Sequence, residues 1–195
     1  MLTSITPLGE RSKGNRFRST ATAYVVGSLV GGVALGLLGA AVGVALRAVV
    51  GPTAAAVVLG VVCLAAAAGD LAGIRPPSWH RQVDEQWLQA FRGWVYGAGF
   101  GVQLGFGLVT IVTSWSTYAV VAAVVLAPSA GWSVLVGATF GLARGLVLLS
   151  ARRVRSPEAL ARLHGRIAAG AGAARTATVA TLVVAGAVTV LGVTA

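Results

Sequence analysis

GWVYGAGFGVQLGFGLVTIVTSW, residues 93–115, carries glycine at Gly93, Gly97, Gly101 and Gly105, one every four residues. In water glycine is among the poorest helix formers, about 1 kcal/mol worse than alanine at an interior position. Four-residue spacing still puts all four on one helical face. The neighbouring residues are aromatic and aliphatic, and no charge interrupts the stretch. In lipid no hydrophobic force drives helices together, so backbones associate where side chains are small. The stripe therefore predicts a transmembrane helix with one face clear of side chains. Ser28, Gly32, Gly36 and Ala40 supply a comparable face on the first helix, and that helix is the expected neighbour, through Ser28, Gly32 and Gly36.

The composition agrees with that solvent. Of 195 residues 56% are hydrophobic and 10% charged, with a mean hydropathy of +0.85. A soluble domain needs about a quarter of its residues charged to cover its surface. The net charge of +10 comes from 15 basic and 5 acidic residues. The basic residues flank the apolar runs in blocks: Arg11, Lys13, Arg16 and Arg18; Arg75, Arg81 and Arg92; and Arg152, Arg153, Arg155, Arg162, Arg166 and Arg175. Such blocks follow the positive-inside rule and need no nucleic-acid partner. The partners implied are the lipid bilayer and either a second copy of the chain or another membrane protein.

Four apolar stretches stand out: about 21–50, 53–74, 93–150 broken near Pro128, and 174–194. One crossing takes ~20 residues for a hydrocarbon core of ~30 Å. The run 93–127 is too long for one crossing and short for two. A break is expected at Thr113, Ser114, Trp115, Ser116 and Thr117, where hydroxyl residues surround an aromatic. With the amino terminus cytoplasmic, five crossings leave only Arg47 outside, whereas six would move the block from Arg152 to Arg175 outside as well. The reading is an all-α polytopic protein of a bacterial inner membrane with five full crossings. Residues 118–127 then form a re-entrant or half-membrane helix returning to the outer side. Six transmembrane helices are the alternative.

Residues 1–20 read as a basic cytoplasmic tail and 21–195 as one transmembrane domain, with halves 21–92 and 93–170 and a last helix 174–194. A shift of 69 residues lays Ser28, Gly32 and Gly36 on Gly97, Gly101 and Gly105, as an internal repeat would. Two loops are expected to form amphipathic helices on the inner leaflet. In the first, Trp79, Val83, Trp87 and Phe91 share a face. In the second, Ser156 caps, Pro157 opens the helix, Glu158 lies in its first turn, and Leu160, Leu163 and Ile167 form the apolar face.

Polar residues in apolar runs are the transport or polar-core candidates. Asp70 and Arg144 each lie near the cytoplasmic end of a crossing and are expected to approach one another, because intramembrane charges face partners or water-filled cavities. Gln103 must satisfy its amide beside the stripe. Thr110, Thr113, Ser114, Ser116 and Thr117 surround the expected break, where unwound backbone can coordinate an ion or polar solute. Cys63 is the single cysteine, which excludes an intramolecular disulfide. His80 and His164 have no second ligand at metal spacing. No phosphate-binding loop, serine-hydrolase elbow or zinc-protease motif occurs, so neither an enzyme nor a cofactor is expected.

VYGAGFGVQLGFGLVTIVTSW followed by GATFGLARGL resembles small bacterial membrane proteins related to the transmembrane domain of cytochrome c biogenesis and thiol-disulfide carriers, the CcdA/DsbD group of the LysE-like transporters. The resemblance covers residues 21–150 and implies six helices in two pseudo-symmetric halves, with a redox cysteine in the first helix of each. Neither striped segment of this chain contains cysteine, so no redox residue carries over. The functional expectation is transporter-like movement of a small solute or ion. Its alternatives are a membrane scaffold or accessory subunit, and a thiol-disulfide carrier working with a partner's cysteines.

Overall fold

The computed structural model describes residues 5–78 and 90–194. The first loop helix, with Trp79, His80, Val83 and Trp87, lies outside the described residues. The described chain is helical without strands: α1 (Pro7–Ser12), α2 (Phe17–Arg47), α3 (Pro52–Ala72), α4 (Gly93–Phe106), α5 (Ser116–Leu126), α6 (Ala130–Leu146), which tightens into a 3₁₀ turn over Val147–Arg153, and α7 (Pro157–Thr194). Four of these segments are long and apolar enough to cross a membrane: α2, α3, α6 with its 3₁₀ extension, and α7.

Helix α2 is the axis of the molecule. Its 31 residues make a rod of roughly 46 Å. The small residues Gly27, Ser28, Gly31, Gly32, Gly36, Gly39 and Gly43 are buried, while Val30, Leu37, Leu38, Val42 and Val44 are exposed. That inverts the soluble pattern: large aliphatics meet the apolar solvent and glycines let neighbouring backbones in.

Helix α4 runs parallel to α2. A Cβ on Gly97 would lie 2.6 Å from the Thr20 carbonyl oxygen, one on Gly101 2.8 Å from the Ser28 nitrogen, and one on Gly105 2.7 Å from both the Cα and carbonyl carbon of Ser28. Helix α6 packs antiparallel on another face of α2. There Gly36 meets Ser133 and Val134, Gly32 meets Gly137 and Gly141, and Ser28 meets Gly141 and Gly145. The stripe does lie on the first helix, but its partners there are Thr20, Tyr24 and Ser28, with Gly27 and Gly31 beside Ala98 and Val102. Gly32 and Gly36, expected to face the stripe, are turned to α6. The reason is angular: successive small residues point about 100° apart, so one glycine-rich helix serves two neighbours.

Helix α5 lies along the far half of α2, with Val124 at Gly39, Val125 at Gly43, and the Arg47 guanidinium donating to the Ala127 carbonyl at 2.7 Å. It is the short helix expected there, Ser116–Leu126, but it advances in the direction of α4 and does not double back as a re-entrant piece would. Helix α3 packs antiparallel to α5, its Cys63, Ala66 and Ala67 forming a core with Ala119 and with Val179 and Leu182 of α7. Gly60 of α3 faces Gly186 and Val190 of α7.

One further expectation needs correction. The second loop helix is not separate from the last crossing: residues 157–194 form one 38-residue helix. Ser156 does cap it, its Oγ accepting from the Ala159 N–H at 3.3 Å. The connecting AAGAGAA, residues 168–174, holds no proline, and alanine sustains the helix through its glycines. The described part of the amino-terminal segment packs against the bundle. Thr6 caps α1 by accepting from the Gly9 N–H at 3.0 Å, and Ile5, Thr6 and Glu10 are buried. The segments related by the 69-residue shift also differ: α2 is continuous, whereas its counterpart stops after 14 residues.

Candidate functional site

The interruption lies at residues 107–115, between α4 and α5, and begins earlier than the serine–threonine cluster that signalled it. Gly107 ends α4 in the left-handed region at φ 79°, its N–H returning to the Gln103 carbonyl at 3.3 Å. Only glycine enters that region freely. Backbone outside a regular helix needs partners for its polar groups, and at the far end of the segment α3 supplies one. The Asp70 carboxylate accepts from the Ser114 hydroxyl at 2.7 Å and from the Trp115 backbone N–H at 3.0 Å. Ser114 Oγ shares a hydrogen bond with Ser116 Oγ at 2.7 Å and accepts from the Ser116 N–H at 3.1 Å. Asp70 thus holds the amino-terminal end of α5, where helix N–H groups are unsatisfied and the dipole favours negative charge.

Aromatic and basic groups reinforce the junction. Trp115 donates its indole N–H to the Ile74 carbonyl at 2.9 Å and lays its ring against Gly69, where a Cβ would approach to 2.7 Å. The Tyr118 hydroxyl donates to the Pro77 carbonyl. Arg175 of α7 donates through Nε to the Asp70 carbonyl and through Nη2 to the Leu71 carbonyl, each at 2.8 Å. These carbonyls belong to the last turn of α3, where carbonyls run short of helical N–H donors; that of Asp70 also accepts from the Gly73 N–H at 3.3 Å.

The start of the interruption faces α6. A Cβ on Gly107 would come within 2.8 Å of the Phe140 ring, and the Arg144 guanidinium lies 5.2 Å over that ring. Asp70 and Arg144 are therefore both at the interruption but at its opposite ends, and no ion pair joins them among the described residues. The unwound segment explains the difference: its N–H and hydroxyl donors satisfy the carboxylate that would otherwise seek the guanidinium.

The other polar candidates spread around this junction. Gln103 is half-buried, and its side-chain amide has no hydrogen-bond partner among the described residues. Thr113 is exposed and Thr117 buried. Thr110, within the interruption, and Ser28, between α4 and α6, are buried with hydroxyls that lack a partner.

A second polar cluster, not among the candidates above, lies at the Gly93 end of α4. Glu10 is fully buried; it accepts from the Thr20 hydroxyl at 2.6 Å and from the Tyr96 hydroxyl. Asn15 donates to the Tyr96 oxygen at 3.3 Å and accepts from the Gly93 N–H at 3.4 Å. The only available signal was one acidic residue in an otherwise basic segment. Its partners lie up to 86 positions away.

These features define an all-α protein whose long apolar helices are suited to a membrane, with a helix interruption held at one end by a half-buried carboxylate. No protein-family model matches the chain, and no curated protein or solved structure matches it either. The functional reading therefore rests on the chemistry of the site.

Proposed function

We propose that the chain is a multi-pass protein of a bacterial inner membrane that moves a small polar solute or ion past the interruption between α4 and α5. The observation that carries this reading is the nine-residue unwound segment held at one end by Asp70 and lying at the other beside Arg144. Broken helices with half-helix ends aimed at a charged or polar group are how many transporters bind cargo at mid-membrane. The partnerless hydroxyls of Ser28 and Thr110 add hydrogen-bonding capacity that a dry helix bundle would leave costly.

Direction supports five traverses: α2 out, α3 in, α4 and α5 together out, α6 in, and α7 out. Arg11, Arg16, Arg18, Arg152, Arg153 and Arg155 gather at the starting end of α2, and Arg47 lies at the other. The positive-inside rule makes the starting end cytoplasmic. On this reading α2–α3 and α4/α5–α6 are the halves related by the 69-residue shift, and only the second is broken.

A scaffold is the second reading, favoured by the glycine-mediated contact of α2 with α4 and α6. Single cysteines at Gln103 and Thr110 in a Cys63→Ala background separate the two. Transport requires that a charged, membrane-impermeant thiol reagent modify them at rates within about tenfold of an exposed Arg166→Cys control. No modification at either position, while the control reacts, would leave the scaffold.

A further inference from the structure

The end of the molecule rich in arginine contains a groove of about 1110 Å³ between α1, the first turns of α2 and the 3₁₀ turn after α6. Its rim carries Arg11, Arg16, Arg18, Arg152, Arg153 and Arg155. All six are exposed, and none has a carboxylate partner among the described residues. Its wall is apolar, formed by Leu8, Phe17, Val25, Val26 and Leu149. The acid nearest in sequence is withdrawn: Glu10 is turned into the interior and bonded to Tyr96 and Thr20. Six guanidinium groups from three elements thus converge with their mutual repulsion unrelieved.

The groove also continues. A second depression of about 640 Å³ shares Arg18, Thr22 and Val26 with it and passes between α2 and α4 beside Val30, Trp94 and Val102. From Arg18 to Val30 a helix rises roughly 18 Å, about half of a leaflet pair and comparable with one acyl chain. The basic rim therefore opens into two apolar channels lying on either side of α2.

We propose that this is a binding site for an anionic glycerophospholipid of the inner leaflet. The phosphodiester would sit among the arginines, whose planar forks match phosphate oxygens, while the two acyl chains follow the two channels. Basic pockets beside transmembrane helices on the cytoplasmic side recognise lipid headgroups by this combination of charge and apolar contact. The site is independent of the transport reading, since it lies at the cytoplasmic end and uses none of the residues around the interruption.

The test is native mass spectrometry of the full chain released from detergent with phosphatidylglycerol, phosphatidylcholine or glycerol 3-phosphate at equal concentration. Phosphatidylglycerol should bind one to one and at least about tenfold more tightly than phosphatidylcholine, with glycerol 3-phosphate weaker still. The triple substitution Arg16→Gln, Arg152→Gln and Arg153→Gln should reduce phosphatidylglycerol binding by about a hundredfold, each arginine near an anionic headgroup being worth roughly fivefold. Arg162→Gln with Arg166→Gln, which removes charge from exposed α7 outside the groove, should change it by less than about threefold. Equal binding of both lipids by the unaltered chain would overturn the proposal without recourse to any variant. Equal loss in the two sets of variants would overturn it as general charge attraction, and binding of glycerol 3-phosphate as tight as the lipid would overturn it as a free-anion site.

Discussion

Gly105→Ala adds a single methyl group where α4 crosses α2. That methyl would sit 2.7 Å from the Cα and carbonyl carbon of Ser28, against 3.4 Å for ordinary contact, so the helices must separate by about 0.7 Å or more. All the atoms met are backbone, and no side chain can rotate away. Retreat of α2 is blocked on its other face, where Gly141 already presses on the same residue. Overpacking of a closed contact costs about 1–3 kcal/mol, and the two-sided clamp places this one near the upper end. Alanine returns about 1 kcal/mol of helix propensity, leaving a net loss of about 2 kcal/mol. Gly165→Ala supplies the control, since nothing lies within 4 Å of its added Cβ on α7, and it should stabilise by up to about 1 kcal/mol. Reversible unfolding in mixed micelles by denaturing-detergent titration measures both. Because Gly105 and Gly141 press on one residue from two helices, adding Gly141→Ala to Gly105→Ala should cost more than its effect alone. A Gly105→Ala protein as stable as Gly165→Ala would refute the close-contact argument.

Asp70→Ala leaves the Ser114 hydroxyl and Trp115 N–H without their acceptor, and the same titration should show a loss of about 1–3 kcal/mol; Asp70→Asn, which keeps one carbonyl acceptor, should lose less. Glu10→Ala removes the shared acceptor of Tyr96 and Thr20 and should cost about 2–4 kcal/mol, accompanied by faster proteolysis near Lys13 and Arg16 as the amino-terminal segment detaches. Reporter fusions after Pro76 and after Ser156 should locate inside the cell, and one after Pro128 outside; an external Ser156 would require an even number of crossings.

Much of the helical order could be read from residue pattern because apolar runs bounded by proline and arginine constrain it strongly. The glycine spacing also revealed that α4 has a close-packed face. It could not reveal which residues of α2 would meet that face, since Gly27, Ser28, Gly31 and Gly32 point in several directions and the choice depends on where α6 lies. The interruption was placed a few residues late for a similar reason. The hydroxyl cluster marks where Asp70 fastens α5, whereas the helix actually stops at Gly107, one more glycine in a segment already rich in them. Pairing Asp70 with Arg144 assumed that opposite charges seek each other, but Asp70 is occupied by Ser114 and Trp115. Glu10 was illegible altogether, because its burial depends on residues of α2 and α4 that only the tertiary fold assembles around it.

Hydrogen–deuterium exchange of the full chain in lipid nanodiscs, resolved along residues 93–126, tests the interruption and its wetness together. Amides within 108–114 should exchange at least about a hundredfold faster than those of α4 and α5 on either side, since they lie outside both helices and the proposed transport would bring water beside them. Uniform strong protection from Gly93 through Leu126 would mean a continuous, dry segment, and would contradict both the broken crossing and the function assigned to it.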